Sequence, residues 1–129
     1  MAERSSSVLV RHWSAALAAD VVFVVIFATI GRASHERGLT ALGVLETAWP
    51  FLAALAVGWL VTFAWRAPLR VVRTGVPLWA ITVLGGMVLR AITGMGTAVP
   101  FVIVATLMLL LLLVGWRVVA RLITRTRKR

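Results

Sequence analysis

Residues 98–116 read AVPFVIVATLMLLLLLVGW, a run without a single charge. A helix that crosses a bilayer needs about 20 mostly apolar residues. The run is apolar at nearly every position, whereas a barrel strand alternates with period two. It therefore reads as a spanning helix, the form in which a chain satisfies its own backbone in lipid. Three further segments of the same kind precede it: 76–92 with Arg90 near its end, 44–65 with Glu46 near its start, and 13–31 with Asp20 inside it. Arg4, Arg11 and the apolar stretch after them resemble a leader peptide. Asp20 interrupts that stretch and no small-x-small site follows, so a retained helix is expected.

Composition agrees. Of 129 residues, 61% are hydrophobic and 14% charged, against about 45–50% and 25% in a soluble domain. So apolar a chain is not disordered. It has no cysteine, which excludes a disulfide scaffold, a zinc finger and a thiol enzyme. Two histidines and four scattered carboxylates do not make a metal centre, and no metal or cofactor is expected. No Walker A loop, dinucleotide fingerprint, H-E-x-x-H or nucleophile elbow occurs, so an enzyme is not expected.

The connectors carry helix punctuation. Gly31 and Gly38 bracket the first, Pro68 breaks the second, and Gly94 and Gly96 make the third a turn. Pro77 and Pro100 stand early in helices, and Pro50 in the first turns of its span. The expected fold is all-α: a single domain of four transmembrane helices, antiparallel to their neighbours, followed by a basic tail over 117–129. The net charge of +10 then reads as orientation. One side holds Arg4, Arg11, Arg66, Arg70, Arg73, Arg117, Arg121, Arg125, Arg127, Lys128 and Arg129; the other holds Arg32, Arg37 and Arg90. Basic residues in short loops collect on the cytoplasmic side, so both termini are expected there, in a plasma (inner) membrane. Arg117, Arg121, Arg125, Arg127, Lys128 and Arg129 are expected to contact anionic lipid headgroups. The lipid surface, rather than a nucleic acid, is the partner this basic excess implies.

Few residues are left to carry chemistry. Asp20 would cost about 2.5–3.5 kcal/mol at the centre of a spanning helix and needs a partner, for which Arg117 and Arg66 are candidates. It is either a proton- or cation-coupling carboxylate or half of a structural ion pair. Arg90 follows Thr82 and Gly86 on one face at spacing four; small residues let a second helix approach there. It is expected either to pair with Glu46 or to hold an anionic ligand. Arg32, His35, Glu36 and Arg37 form a polar loop cluster, with His35 the side chain that titrates nearest neutrality. Trp59 and Trp79 lie inside spans, as packing units or as the lining of a pocket.

Asp20, Gly31-Arg32 with Ser34-His35, Trp49-Pro50-Phe51, Gly85-Gly86-Met87-Val88-Leu89-Arg90, Gly94 and Gly96, Phe101 and Gly115-Trp116-Arg117 together resemble the domain of unknown function 3054 family of small prokaryotic membrane proteins. The resemblance runs from about residue 13 to residue 117, with Pro100 a departure at the start of the last helix. It implies a four-helix integral membrane protein and no established activity. It also implies that Asp20, Arg32, His35, Arg90 and Arg117 are kept polar. Ionisable residues at membrane depth are functional candidates. The expected function is a small proton- or ion-coupled transporter or channel acting as an oligomer, with Asp20, Glu46, Arg90, Arg32, His35, Trp59 and Trp79 along its pathway. The alternative is a non-catalytic accessory or assembly subunit that binds another membrane protein or lipid.

Overall fold

The computed structural model describes residues 2–34 and 39–127, with side chains described over 13–32 and 39–126. The described residues are mostly helical, joined by short connectors, with no strand among them. Helix α1 covers Ala2–Ser34, α2 Ala41–Val61 and α3 Val76–Ile92. The last helix is α4 (Val99–Leu109) running through a π turn (Leu110–Val114) into α5 (Gly115–Arg127). Among the described residues, four stretches are long and apolar enough to cross a membrane: Trp13–Arg32, Ala41–Val61, Val71–Ile92 and Val99–Thr126. The chain is a multi-pass membrane protein by length and composition of its helices.

Several boundaries differ from the sequence expectation, those of α2 most instructively. Helix α2 begins at Ala41, earlier than 44, because Thr40 caps it: its Oγ1 accepts from the Gly43 N–H at 3.0 Å. Pro50 therefore lies inside α2 rather than in its first turns, buried. Helix α2 also stops at Val61, short of 65. Phe63 takes the left-handed conformation (φ 51°), which costs an L-residue about 1–2 kcal/mol. Its ring meets the Trp65 ring edge-on at 5.3 Å and lies beneath the Arg66 guanidinium at 4.9 Å. Ala64 follows, fully buried, in a short 3-10 turn (Ala64–Arg66). Apolar sequence thus continues past the helix end as a non-helical connector, with Ala64 buried and Phe63 and Trp65 exposed. A π turn at Val71–Gly75 then leads into α3. The stretch expected as a basic tail from 117 is helical as far as Arg127, within α5.

The core lies between the four helices and is built of Val24, Phe27, Phe51, Leu55, Leu78, Leu109 and Leu113. Phe27 and Phe51 meet edge to face at 5.1 Å, and Phe101 lies 6.2 Å from each. Helices α2 and α3 approach closely at the glycines of α3. A Cβ on Gly85 would lie 2.8 Å from that of Ala54, and one on Gly86 would enter the Phe51 ring. Trp79 Nε1 donates to the Thr106 carbonyl at 2.8 Å and ties α3 to α4.

Candidate functional site

Asp20 is wholly buried, and so is Arg117. Their side chains meet fork to fork: Arg117 Nη1 donates to Asp20 Oδ1 at 2.8 Å and Nη2 to Oδ2 at 2.7 Å. Two indoles complete the carboxylate. Trp116 Nε1 donates to Oδ1 at 2.8 Å and Trp59 Nε1 to Oδ2 at 2.9 Å. Each oxygen thus accepts twice. Charge-assisted, bidentate pairs of this kind are the strongest protein hydrogen bonds. Burial without them would cost a lone carboxylate several kcal/mol.

The guanidinium is anchored from behind as well. Arg117 Nε donates to the Pro68 carbonyl at 2.8 Å, and Nη1 donates also to the Leu113 carbonyl at 2.8 Å. The two π turns flank this group. Leu113 belongs to the second, and Gly75 closes the first. A Cβ on Gly75 would stand 3.1 Å from Arg117 Cδ, so glycine there lets the arginine stem pass. The connector before α3 is itself tied down, with Thr74 Oγ1 donating to the Ala67 carbonyl at 2.6 Å and accepting from Arg73 Nη1 at 3.1 Å. One side chain of α1 therefore holds α2, the 62–75 connector and the last helix in one arrangement. We call this the basic end.

Of the two partners considered for Asp20, the structure brings Arg117 to it and leaves Arg66 exposed over Phe63. Arg117 was also expected at the lipid surface and is instead wholly buried. The last helix runs on unbroken, so its first basic residue still faces the bundle. Arg121 and Arg125 are exposed on α5. Arg127, Lys128, Arg129 and His35 lie outside the residues whose side chains are described.

A second polar group lies at the opposite end. Arg90 Nε donates to the Gly96 carbonyl at 3.0 Å and Nη2 to that of Met95 at 3.1 Å, and the guanidinium sits 4.1 Å above the Phe101 ring. Gly94 and Gly96 have positive φ (73° and 88°), which glycine adopts without strain and which presents those carbonyls to Arg90. Arg32 Nη1 donates to the Gly43 carbonyl at 3.3 Å. A cavity of about 210 Å³ opens between Arg32, Thr47, Arg90, Gly96 and Phe101. The expected Arg90–Glu46 pair is not formed: Glu46 is exposed and makes no ion pair among the described residues. Trp79 packs and bonds within the bundle. Trp59 lines an apolar groove with Trp13, Leu17 and Trp65, while its N–H is held by Asp20.

Sequence reasoning missed the Trp116 indole as a donor to Asp20, and it missed the groups that touch through their backbone or their smallness. They are the Pro68 and Leu113 carbonyls, Gly75, and Gly43, where a Cβ would overlap the Arg32 guanidinium. The centre itself was signalled by Asp20 inside an apolar run, with Arg117 among its candidate partners. No group of three or more His, Cys, Asp or Glu side chains that could hold a metal occurs among the described residues.

The family described as Protein of unknown function (DUF3054) matches residues 17–120, which take in Asp20, Arg32, Trp59, Arg90 and Arg117. No curated protein and no solved structure matches the chain.

Proposed function

The chain belongs to the Protein of unknown function (DUF3054) family, and from that premise we propose that it is a non-catalytic membrane subunit that works by binding, with Asp20 holding the bundle together rather than coupling ion movement. The observation that carries this reading is the saturation of the carboxylate. A coupling carboxylate has to release one partner and take another within each cycle. Asp20 is wholly buried and accepts from four donors. Hydrogen bonds to a charged group are worth roughly 1.5–3 kcal/mol each. Exchanging them requires the α1, α2 and last-helix contacts to open together.

In this reading neighbouring helices are antiparallel and the basic end faces the cytoplasm of a plasma membrane. The eleven-to-three division of basic residues supports that orientation. Four spans with a closed core leave their outward faces for lipid, for a second copy of the chain, or for another membrane protein.

A second reading, transport of a small anion, is favoured by one observation: the cavity between Arg32, Thr47 and Arg90 at the end opposite the ion pair. Proteoliposomes separate the two. Substrate-dependent proton and anion flux is measured for the wild type and for Asp20→Asn, each matched for folded protein by gel filtration. The binding reading expects neither protein to move protons. A proton flux present in the wild type and absent from folded Asp20→Asn contradicts it.

A further inference from the structure

Helix α5 carries arginine at every fourth position: Arg117, Arg121 and Arg125 share one face. Arg117 is consumed by Asp20. One turn further on, Arg121 faces Arg70 and Arg73 of the 62–75 connector across a cavity of about 500 Å³, lined also by Val71 and Val72. The three guanidiniums are exposed. None of the carboxylates with a described side chain lines the cavity, since Asp20 is held by Arg117 and Glu46 lies on the first turns of α2. Three like charges converging on one space repel each other unless an anion sits among them, and guanidinium forks match phosphate oxygens bidentately.

We propose that Arg70, Arg73 and Arg121 form a binding site for the phosphate of an anionic phospholipid headgroup. Two features favour a lipid over a free anion. The site stands at the first turn of one apolar span and near the end of another. Val72, beside the arginines, is 78% exposed, and Leu122 next to Arg121 is 56% exposed; acyl chains and glycerol would cover such side chains. The proposal names one ligand class for the binding reading above, and concerns a different group of residues from the ion pair.

Lipid-stripped protein in detergent, in about 0.15 M salt to screen long-range attraction, is titrated with dioleoyl phosphatidylglycerol or dioleoyl phosphatidylcholine. Bound lipids are counted by native mass spectrometry. One phosphatidylglycerol is expected to bind in preference to phosphatidylcholine. Arg70→Gln and Arg121→Gln should each weaken it about tenfold or more, the loss of one charged hydrogen bond. Arg125→Gln removes the same charge one turn beyond the cavity and should leave affinity nearly unchanged. Melting temperatures of the variants, expected to equal the wild type, separate loss of the site from loss of the fold. Equal weakening by all three substitutions would mean a diffuse basic surface and overturn the proposal. Inorganic phosphate binding as tightly as the lipid would overturn the assignment to lipid. Neither result touches the flux comparison of Asp20→Asn, which tests the binding reading by itself.

Discussion

At Asp20, four donors converge on one buried carboxylate, and the two indoles matter because the guanidinium alone fills only half of its acceptor capacity. Replacing Trp59 or Trp116 by Phe keeps most of the ring's bulk and removes one N–H. Each substitution is expected to destabilise by about 1–3 kcal/mol, the cost of leaving a buried acceptor short of a partner. Detergent-solubilised unfolding curves measure it. The residue itself was legible in the sequence, since a lone carboxylate in an apolar run must be paired, and Arg117 was one of two arginines suited to the task. Its completion was not legible. Trp59 and Trp116 reach Asp20 across 39 and 96 residues of chain, and an indole in a span reads the same whether its N–H is bonded or at an interface. Arg117 was misread as a surface contact for a related reason: it opens a run of basic residues, and sequence does not say which face the first of them takes.

Among the elements, the α2–α3 contact depends on two glycines without side chains. Gly86→Ala drives a Cβ into the Phe51 ring, which Phe27 and Phe101 hold in place. Overpacking of this kind costs about 1–3 kcal/mol. Gly31→Ala is the contrast, because nothing lies within 4 Å of its Cβ position. In a helix it should stabilise by about 0.5–1 kcal/mol. A melting-temperature comparison of the two variants checks both signs. Four helices could be read from apolar length alone, and the small residues on α3 pointed to a close contact. The ends of α2 could not be placed so well. Hydropathy does not separate a helical Phe63 from a left-handed one over a buried Ala64, and nothing in the leucines of 109–113 distinguishes a π turn from an α-helix.

For the whole molecule, the charge division expects a reporter fused after residue 127 to read cytoplasmic, and one inserted at the 93–98 connector to read on the other side. A reversed pair of signals would place the Arg70, Arg73 and Arg121 cavity in the opposite leaflet and leave its chemistry unchanged. The two ends of the bundle differ in kind. One is closed by a saturated ion pair that ties α1, α2, the 62–75 connector and the last helix together; the other opens as a cavity beside Arg32 and Arg90. If the closed end is a structural clamp, its two charges are worth far more together than either is alone. The most direct measurement is a double-mutant cycle on global unfolding in one detergent, with Asp20→Asn, Arg117→Met and the pair. Each single substitution is expected to cost about 3–5 kcal/mol, as breaking a buried pair does. The double should cost less than the sum, with a coupling of about 2 kcal/mol or more. Additive costs, or an Asp20→Asn protein as stable as the wild type, would contradict the clamp and return Asp20 to the residues available for ion coupling.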